Sequence, residues 1–503
     1  MRDHSGDASP NDVSLSSKAS RLPVDVLVPL LLFALYVALN LVGLTRSPVV
    51  WTDEVGLNDP ARVLAETGRL ATSVFGDVDG FNISYHWLPP GQAIVTAAVY
   101  RVFGFGIVQT RIMPLLFAAG VVSLSWLIPR RLGYPKYLAL MTAGIVFLEP
   151  VLQRTARSGR MDGQALFLAA LALWLVIGAR EKPDGSSLYA VGGILVAFAA
   201  LTHPAASTWV LGIFIALARL SSHERLRRLS FFTLGVSVPL LFWGLWLLPN
   251  LSRFKTQFID HGLSKTDGGG LVNRIVSEPL DLVRTYTYAP ALLLLVVGLA
   301  LGLVVASIRK ERTAATPPWG VTDVLVVSFM LIWIGLNNDT GFYELYYLIP
   351  LYLLIPYVFS FASSFGSKSR TIAVVFVVLA AANGLVAGFG QRWLVLASQW
   401  DQRDYALVED LVDNSIEAGQ NVYSVAEPWY ALVDRDARMT LNAFFDQPQT
   451  DDQDAIIFHT GHPPEVSGTW QVVRVGGLPL PPVLGVDLPS ADYRLSVAVR
   501  QQP

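Results

Sequence analysis

Residues 24–45, VDVLVPLLLFALYVALNLVGLT, form an apolar run long enough to cross a bilayer. In lipid such a run must satisfy its own backbone hydrogen bonds, so it can only be a helix. Similar runs recur near 110–129, 137–156, 163–179, 188–203, 204–219, 229–249, 288–308, 321–337, 343–363 and 371–391. Eleven candidate spans define an α-helical polytopic membrane protein. Composition agrees: 52% of the 503 residues are hydrophobic and only 15% are charged, too few for the surface of a soluble protein of this size. A net charge of −2 gives no basic surface for nucleic acid. The absence of cysteine excludes disulfides, thiolate metal sites and thiol nucleophiles. Residues 1–22 are polar and turn-rich and read as a disordered cytoplasmic tail. No small-residue cleavage site follows the first apolar run, which reads as a retained helix.

Residues 89–104, PPGQAIVTAAVYRVFG, have helical periodicity, open on prolines and close on Gly104. At about 1.5 Å per residue they fall short of the roughly 30 Å hydrocarbon layer. Orientation settles their role. If 89–104 lies in the interface, the short inner loops carry Arg130, Arg131, Lys136, Arg180, Lys182, Arg219, Arg225, Arg227, Arg228, Arg309, Lys310, Arg312, Lys368 and Arg370. The short outer loops near 204 and 338–342 carry no Lys or Arg, as the positive-inside rule requires. Counting 89–104 as a span would invert this asymmetry. The N-terminus is therefore expected in the cytoplasm.

This topology assigns residues 23–391 to a transmembrane domain with four features outside. They are a loop at 46–109 containing the interfacial helix, the segment RTARSGRMDG at 154–163, a loop at 250–287, and a small α/β domain from 392 to 503. That last domain is expected to hold a helix near 403–418 and strands at NVYSV, DAIIFH, WQVVRV and YRLSVAVR. No internal repeat of the transporter kind is evident.

The first outer loop carries an acidic pair, Asp53 and Glu54, in WTDEVGLNDPAR. Asn58 or Asp59 is placed to cap a helix from Pro60 to Thr67, with Gly68 as its stop. The pair reads either as solvated loop acids or as a reactive site. His86, in YHWLPPGQ, reads alone as an interfacial polar residue. Arg154, Arg157 and Arg160 recur every three residues at an outer helix end, followed by Asp162. Two readings fit them: snorkelling to lipid phosphates, or a phosphate site with Asp162 facing the same cavity. His203, in LTHPA, ends a helix before Pro204. His261, Tyr343 and Glu344 are weaker acceptor or loop contacts, and the glycines 268–270 suggest a movable stretch. The NIS at 82–84 fits a glycosylation sequon, a frequent chance match.

Together, acids, arginines and a histidine converge on one face of the membrane. A transferase whose donor is a sugar on a lipid phosphate needs this set. A carboxylate takes the proton from the acceptor hydroxyl, and cations stabilise the leaving phosphate.

Over roughly residues 24–210 the chain resembles the multi-spanning glycosyltransferases of the GT-C fold that use polyprenyl-phosphate sugars. These include protein O-mannosyltransferases and lipid A aminoarabinose transferases, and more distantly oligosaccharyltransferases. The likeness lies in WTDEVGLNDPARVLAETGRL against the family's Asp-Glu element. It continues in YHWLPPGQAIVTAAVYRVFGFGIVQTRIMPLLFAAG against the Pro-Pro, Phe-Gly and Arg-x-x-Pro/Ser elements. RSGRMDG then matches an Arg…Asp element, and ALTHP a Leu-Thr-Lys-Gly-Pro-like turn. The resemblance implies Asp53 as catalytic carboxylate, with Glu54 beside it and Asp162 as a second acid near the phosphate or a divalent ion, the metal ligands then being Asp53 and Asp162. It implies Arg160 and His203 on the donor phosphate. Leu88 stands where many relatives have Lys, so His86, Arg157 or His203 is expected to supply that cation, and His203 stands where relatives have Lys in the fifth span.

The expected protein is an inverting hexosyl- or pentosyltransferase of the cytoplasmic membrane acting on its outer face. Its partners are a polyprenyl-phosphate sugar, a lipid, glycan or protein acceptor, and membrane lipids. The rivals are a polytopic transporter and a non-catalytic envelope-assembly scaffold. A transporter would place charges near the membrane midplane. A scaffold would leave the acidic pair unexplained.

Overall fold

In the computed structural model, residues 24–182, 185–220, 222–260, 318–335, 343–364, 366–442, 452–466, 469–478 and 493–501 are described. The tail 1–22, His261, the glycines 268–270 and the expected span 288–308 lie outside them.

Membrane helices dominate. Helix α1 is Val24–Leu41, α2 Thr52–Thr67, α3 Gly91–Phe103, α4 Ile107–Arg131 and α5 Lys136–Leu148. They are followed by α6 Pro150–Thr155, α7 Asp162–Ala179, α8 Ser186–Thr202, α9 Ser207–Ala218 and α10 Ser222–Leu247. After residue 318 come α11 Val321–Gly335, α12 Leu345–Leu353, α13 Ile355–Ser364 and α14 Ser367–Asn383. A π-helical stretch then leads into α15, Gln391–Ser398. Helix α4 packs against α1, α5 and α7, and α8 lies between α7 and α10. The interior they share is aliphatic and aromatic, from Tyr36 through Trp209 to Leu354.

Among the described residues five helical runs are long and apolar enough to span, and the pair α12–α13, bent by 43°, makes a sixth. The expected spans 137–156, 188–203, 204–219 and 321–337 correspond to shorter apolar helices. The first of these, expected as one continuous helix, breaks at Glu149. Pro150 has no N–H to continue α5, and the Glu149 carboxylate accepts the Leu152 N–H at 2.7 Å, capping α6 instead. Helix α3 has 13 residues, about 20 Å at 1.5 Å each, too short to cross. It leaves Ile94, Val102 and Phe103 exposed while its other face packs on α2 and α4.

The acidic helix differs from its expected form. Helix α2 begins at Thr52, not Pro60, so Asp53 and Glu54 occupy its first turn and Pro60 lies inside. Asp59 is no cap. Its buried carboxylate accepts from Arg62, Thr72 and Ser73 and closes the following loop. Gly68 ends the helix in the left-handed region as expected.

The last membrane helix continues past 391 through Ser398, and the sheet domain follows. Its helix α16 is Ala406–Asp413, shorter than 403–418. The strands are β1 Asn421–Ser424, β2 Arg438–Leu441, β3 Ala455–His459, β4 Trp470–Val475 and β5 Leu495–Arg500. Their order is β2-β1-β3-β5-β4; β2, β1 and β3 run parallel, β5 runs antiparallel to β3, and β4 runs antiparallel to β5. Strand β2 and helix α17, Trp429–Asp434, were not anticipated. They complete a right-sized β-α-β crossover that parallel pairing demands. The sheet domain and the first loop share one core, in which Val50, Val55, Phe75 and Tyr85 meet Tyr405, Trp429, Tyr430 and Tyr493.

Candidate active site

Charged groups gather where the N-termini of α2 and α7 meet. Asp53 lies in the first turn of α2, and Asp162 is the first residue of α7. A helix N-terminus carries unpaired N–H groups and a partial positive charge, which favours carboxylates there. Between α6 and α7 the chain turns at Gly159, with φ 63°. A Cβ on Gly159 would stand 2.9 Å from Asn58 Nδ2 and 3.0 Å from Glu54 Cγ, so only glycine fits. The turn sends Arg160 back toward both acids. Its Nε donates to Asp162 Oδ2 at 2.7 Å and its Nη1 donates to Asp53 Oδ2. Burial alone would lower the basicity of Arg160, but Asp162 and then Asp53 more than offset this, so it stays charged. The indole of Trp51 stands near Arg154 and Arg160, at 5.6 and 5.8 Å.

A second layer supports Asp162. Tyr346 Oη donates to Asp162 Oδ1 at 3.2 Å. The His203 ring stacks on Tyr346, with centroids 4.9 Å apart and planes 19° apart, and lies 5.1 Å from Tyr343. His203 Nδ1 accepts the Ala205 N–H at 3.1 Å, so the neutral ring carries its proton on Nε2 and offers a donor there. Beyond Pro204 a cavity of about 470 Å³ opens, lined by Pro89, Leu201, Leu211, Phe214, Leu240 and Trp243.

Solvent access separates the carboxylates. The Asp53 side chain is 35% exposed, whereas those of Asp162, Glu54 and Asp59 are 0% exposed. Glu54, expected to share catalysis, turns the other way. Its carboxylate takes two hydrogen bonds from Arg111 and one from Tyr430 Oη at 2.9 Å. Adjacent helical positions point about 100° apart, so one faces the site and one the core.

Two expected cations are not in the cluster. Arg157 is buried, donating to the Gln153 and Ser47 carbonyls at 2.9 and 3.0 Å, and binds backbone to backbone. His86 is buried against Trp246, ring centroids 4.7 Å apart. Burial, then the nearby Arg253, lowers its pKa to about 4, so it is neutral at ordinary pH. Neither stands in for the Lys that Leu88 replaces. Tyr343 borders the cluster, and Glu344 is buried at the N-terminus of α12.

Asp53 and Asp162 were also expected as metal ligands. Here a guanidinium stands between them, and among the described residues no three His, Asp or Glu side chains assemble around one point. The present donor set does not fit a divalent ion. Sequence reading missed Arg111, Tyr346, Tyr430 and Gln92, and gave Asn58 only as a helix cap. Arg111, Asn58 and Gln92 lay within quoted motifs, but nothing local marked the roles they take here.

Residues 88–247 match the family model described as dolichyl-phosphate-mannose-protein mannosyltransferase. That stretch holds Arg160, Asp162 and His203 and stops short of Asp53. No curated protein matches the chain. Among solved structures, ArnT from Cupriavidus metallidurans in the apo state is similar with a TM-score of 0.56 at 13% identity, covering 95% of this chain and 98% of that one. The arabinofuranosyltransferase AftD from Mycobacteria is similar with a TM-score of 0.53 at 14% identity, over 96% of this chain and 40% of that one. At such identities the likeness concerns the fold. The chain has the GT-C fold of an integral membrane protein, and resembles in sequence, over 88–247, the transferases that use lipid-phosphate sugars.

Proposed function

We propose that this chain is an inverting glycosyltransferase that moves a hexosyl or pentosyl group from a polyprenyl-phosphate donor to an acceptor hydroxyl. One observation carries the reading: of the four acids gathered around α2 and α7, Asp53 is open to an incoming acceptor while the other three are closed off.

In the proposed step Asp53 takes the proton of the acceptor hydroxyl. The oxygen attacks the anomeric carbon opposite the phosphate, and the new C–O bond forms with inversion. The bond to phosphate breaks, and polyprenyl phosphate leaves with its electron pair. Arg160 and the Nε2–H of His203 are the groups proposed to offset its charge. Asp162 and Tyr346 hold Arg160 and His203 in place. The cavity beyond Pro204 is apolar and suits the lipid chain. No step is routed through a metal.

The proposed setting is the cytoplasmic membrane, with the N-terminus inside and the site and sheet domain outside. The ion pairs Arg130–Asp25, Arg131–Glu181 and Arg219–Asp323 support this, because they cluster at the helix ends away from Asp53. The acceptor is a lipid, glycan or protein.

The test is Asp53→Asn. It should reduce transfer from a polyprenyl-phosphate sugar about 10²–10⁴-fold, the usual cost of a lost general base. The variant should melt like the wild type in detergent. Near-normal turnover would remove Asp53 from the mechanism.

A further inference from the structure

We infer that Gln92, at the start of α3, is a positioning residue for the Asp53–Arg160 pair, acting with Asn58 through the backbone of Gly159. The inference rests on the roles proposed above for Asp53 and Arg160.

The Gly159 carbonyl immediately precedes Arg160 in the chain. It accepts two side-chain hydrogen bonds, from Asn58 Nδ2 at 2.8 Å and from Gln92 Nε2 at 2.8 Å. The two donors are themselves joined, Gln92 Nε2 to Asn58 Oδ1 at 3.0 Å. Asn58 Nδ2 also donates to the Glu54 carbonyl, one turn back along α2, at 2.7 Å. Asn58 and Gln92 are buried, so each bond works in a medium where an unmet partner is costly. The network therefore ties the turn that launches Arg160 to the helix that carries Asp53.

The same end of α3 reaches the other half of the site. The Gly91 carbonyl accepts from Gln164 Nε2 at 3.3 Å, and Gln164 also donates to Thr202 Oγ1 at 3.2 Å. Gln164 is two residues beyond Asp162, and Thr202 immediately precedes His203. A Cβ on Gly91 would meet the Leu201 carbonyl at 2.7 Å, so the two backbones touch. Residues 91 and 92 thus contact all four segments that bring Asp53, Arg160, Asp162 and His203 together. A short helix that does not span acts as the common support of the site.

The chemistry explains why a carboxamide is needed. Arg160 must reach two carboxylates on different helices at once, and a guanidinium is rigid. A shift of about 1 Å in its backbone breaks one of the two contacts. Displacements of that size cost up to about 10²-fold in rate. Glutamine at 92 donates to a carbonyl and needs no charge. Glutamate would face that carbonyl with an acceptor.

The experiment measures kcat, donor KM and melting temperature of the full-length protein in detergent, for Gln92→Glu, Gln92→Ala and Arg160→Lys, and for Gln92→Ala combined with Arg160→Lys. The expected result is a fall in kcat of about 10–10²-fold in both Gln92 variants, with donor KM moving in the same direction as in Arg160→Lys. In the combined variant the two losses should not multiply, because Gln92 acts through the residue already altered. Multiplying losses, an unchanged kcat in Gln92→Ala, or loss of folded Gln92→Ala would each overturn the positioning role. Asp53→Asn distinguishes the two layers. If it stays active the catalytic reading fails, whereas inactivity beside a wild-type Gln92→Ala defeats this inference alone.

Discussion

Glu54 and Arg111 form a fully buried two-pronged ion pair, with Nε–Oε1 at 2.8 Å and Nη2–Oε2 at 2.6 Å, one residue along from the carboxylate that faces the site. Arg111 Nη1 also donates to the Leu44 and Pro48 carbonyls, which lie between α1 and α2. Tyr430 brings the sheet domain to the same carboxylate. Glu54 is thus the joint between α2, α4 and the sheet domain, and its neighbour is left to do chemistry.

Removing one partner of that joint should damage the fold before it damages catalysis. Arg111→Ala leaves a buried carboxylate unpaired, at a cost of about 3–5 kcal/mol. Expected is a marked fall in melting temperature and in yield of folded protein. Arg111→Lys should recover little of the loss, since Lys cannot make the paired contact. A normal melt for Arg111→Ala would contradict the role given to Glu54.

Arg160 should behave otherwise. Arg160→Ala is expected to weaken donor binding and turnover alike between about pH 6 and pH 9, because its partners keep Arg charged throughout. Initial rates with a polyprenyl-phosphate sugar test this. A loss confined to alkaline pH would point to a different cation.

His203 offers a separation of roles. His203→Phe preserves a ring to stack on Tyr346 but removes both the Nε2–H donor and the Nδ1 acceptor of the buried Ala205 N–H. Donor KM should therefore rise, with a fall in melting temperature of the size one orphaned N–H produces. A wild-type KM in His203→Phe would make the residue purely structural.

His86 predicts a stability effect with a definite sign. Its folded pKa is about 4 against an ordinary value of 6.5, so the unfolded chain binds its proton first. Stability attributable to His86 is intact above about pH 6.5 and is lost as pH falls from there toward 4. Melting curves of the wild type should show that slope, and His86→Gln should reduce it. The pH profile of transfer between 6 and 9 should be the same in both.

Local physics made much of this molecule legible. The apolar runs identify membrane helices because lipid offers the backbone no partner, whatever the surrounding fold. Gly68 marks the end of α2 because a left-handed residue suits glycine. Helix continuity was less readable. Pro60 looked like a start and lies within α2, because packing against α3 outweighs the local cost of proline. Glu149 looked like part of a span and divides it.

By itself the sequence determined that the chain is a helical membrane protein, with acids and arginines gathered at helix ends on one face. Hydropathy, charge and caps act over a few residues and can be read in order along the chain. Only the tertiary structure decided which acid does what. Glu54 meets Tyr430 across 376 residues, and Arg160 meets Asp53 across 107. Asp53 and Glu54 are chemically alike and adjacent, yet one is open and the other sealed. Whether an ionisable group reacts or braces depends on its burial and its partners, and those come from segments far apart in the chain.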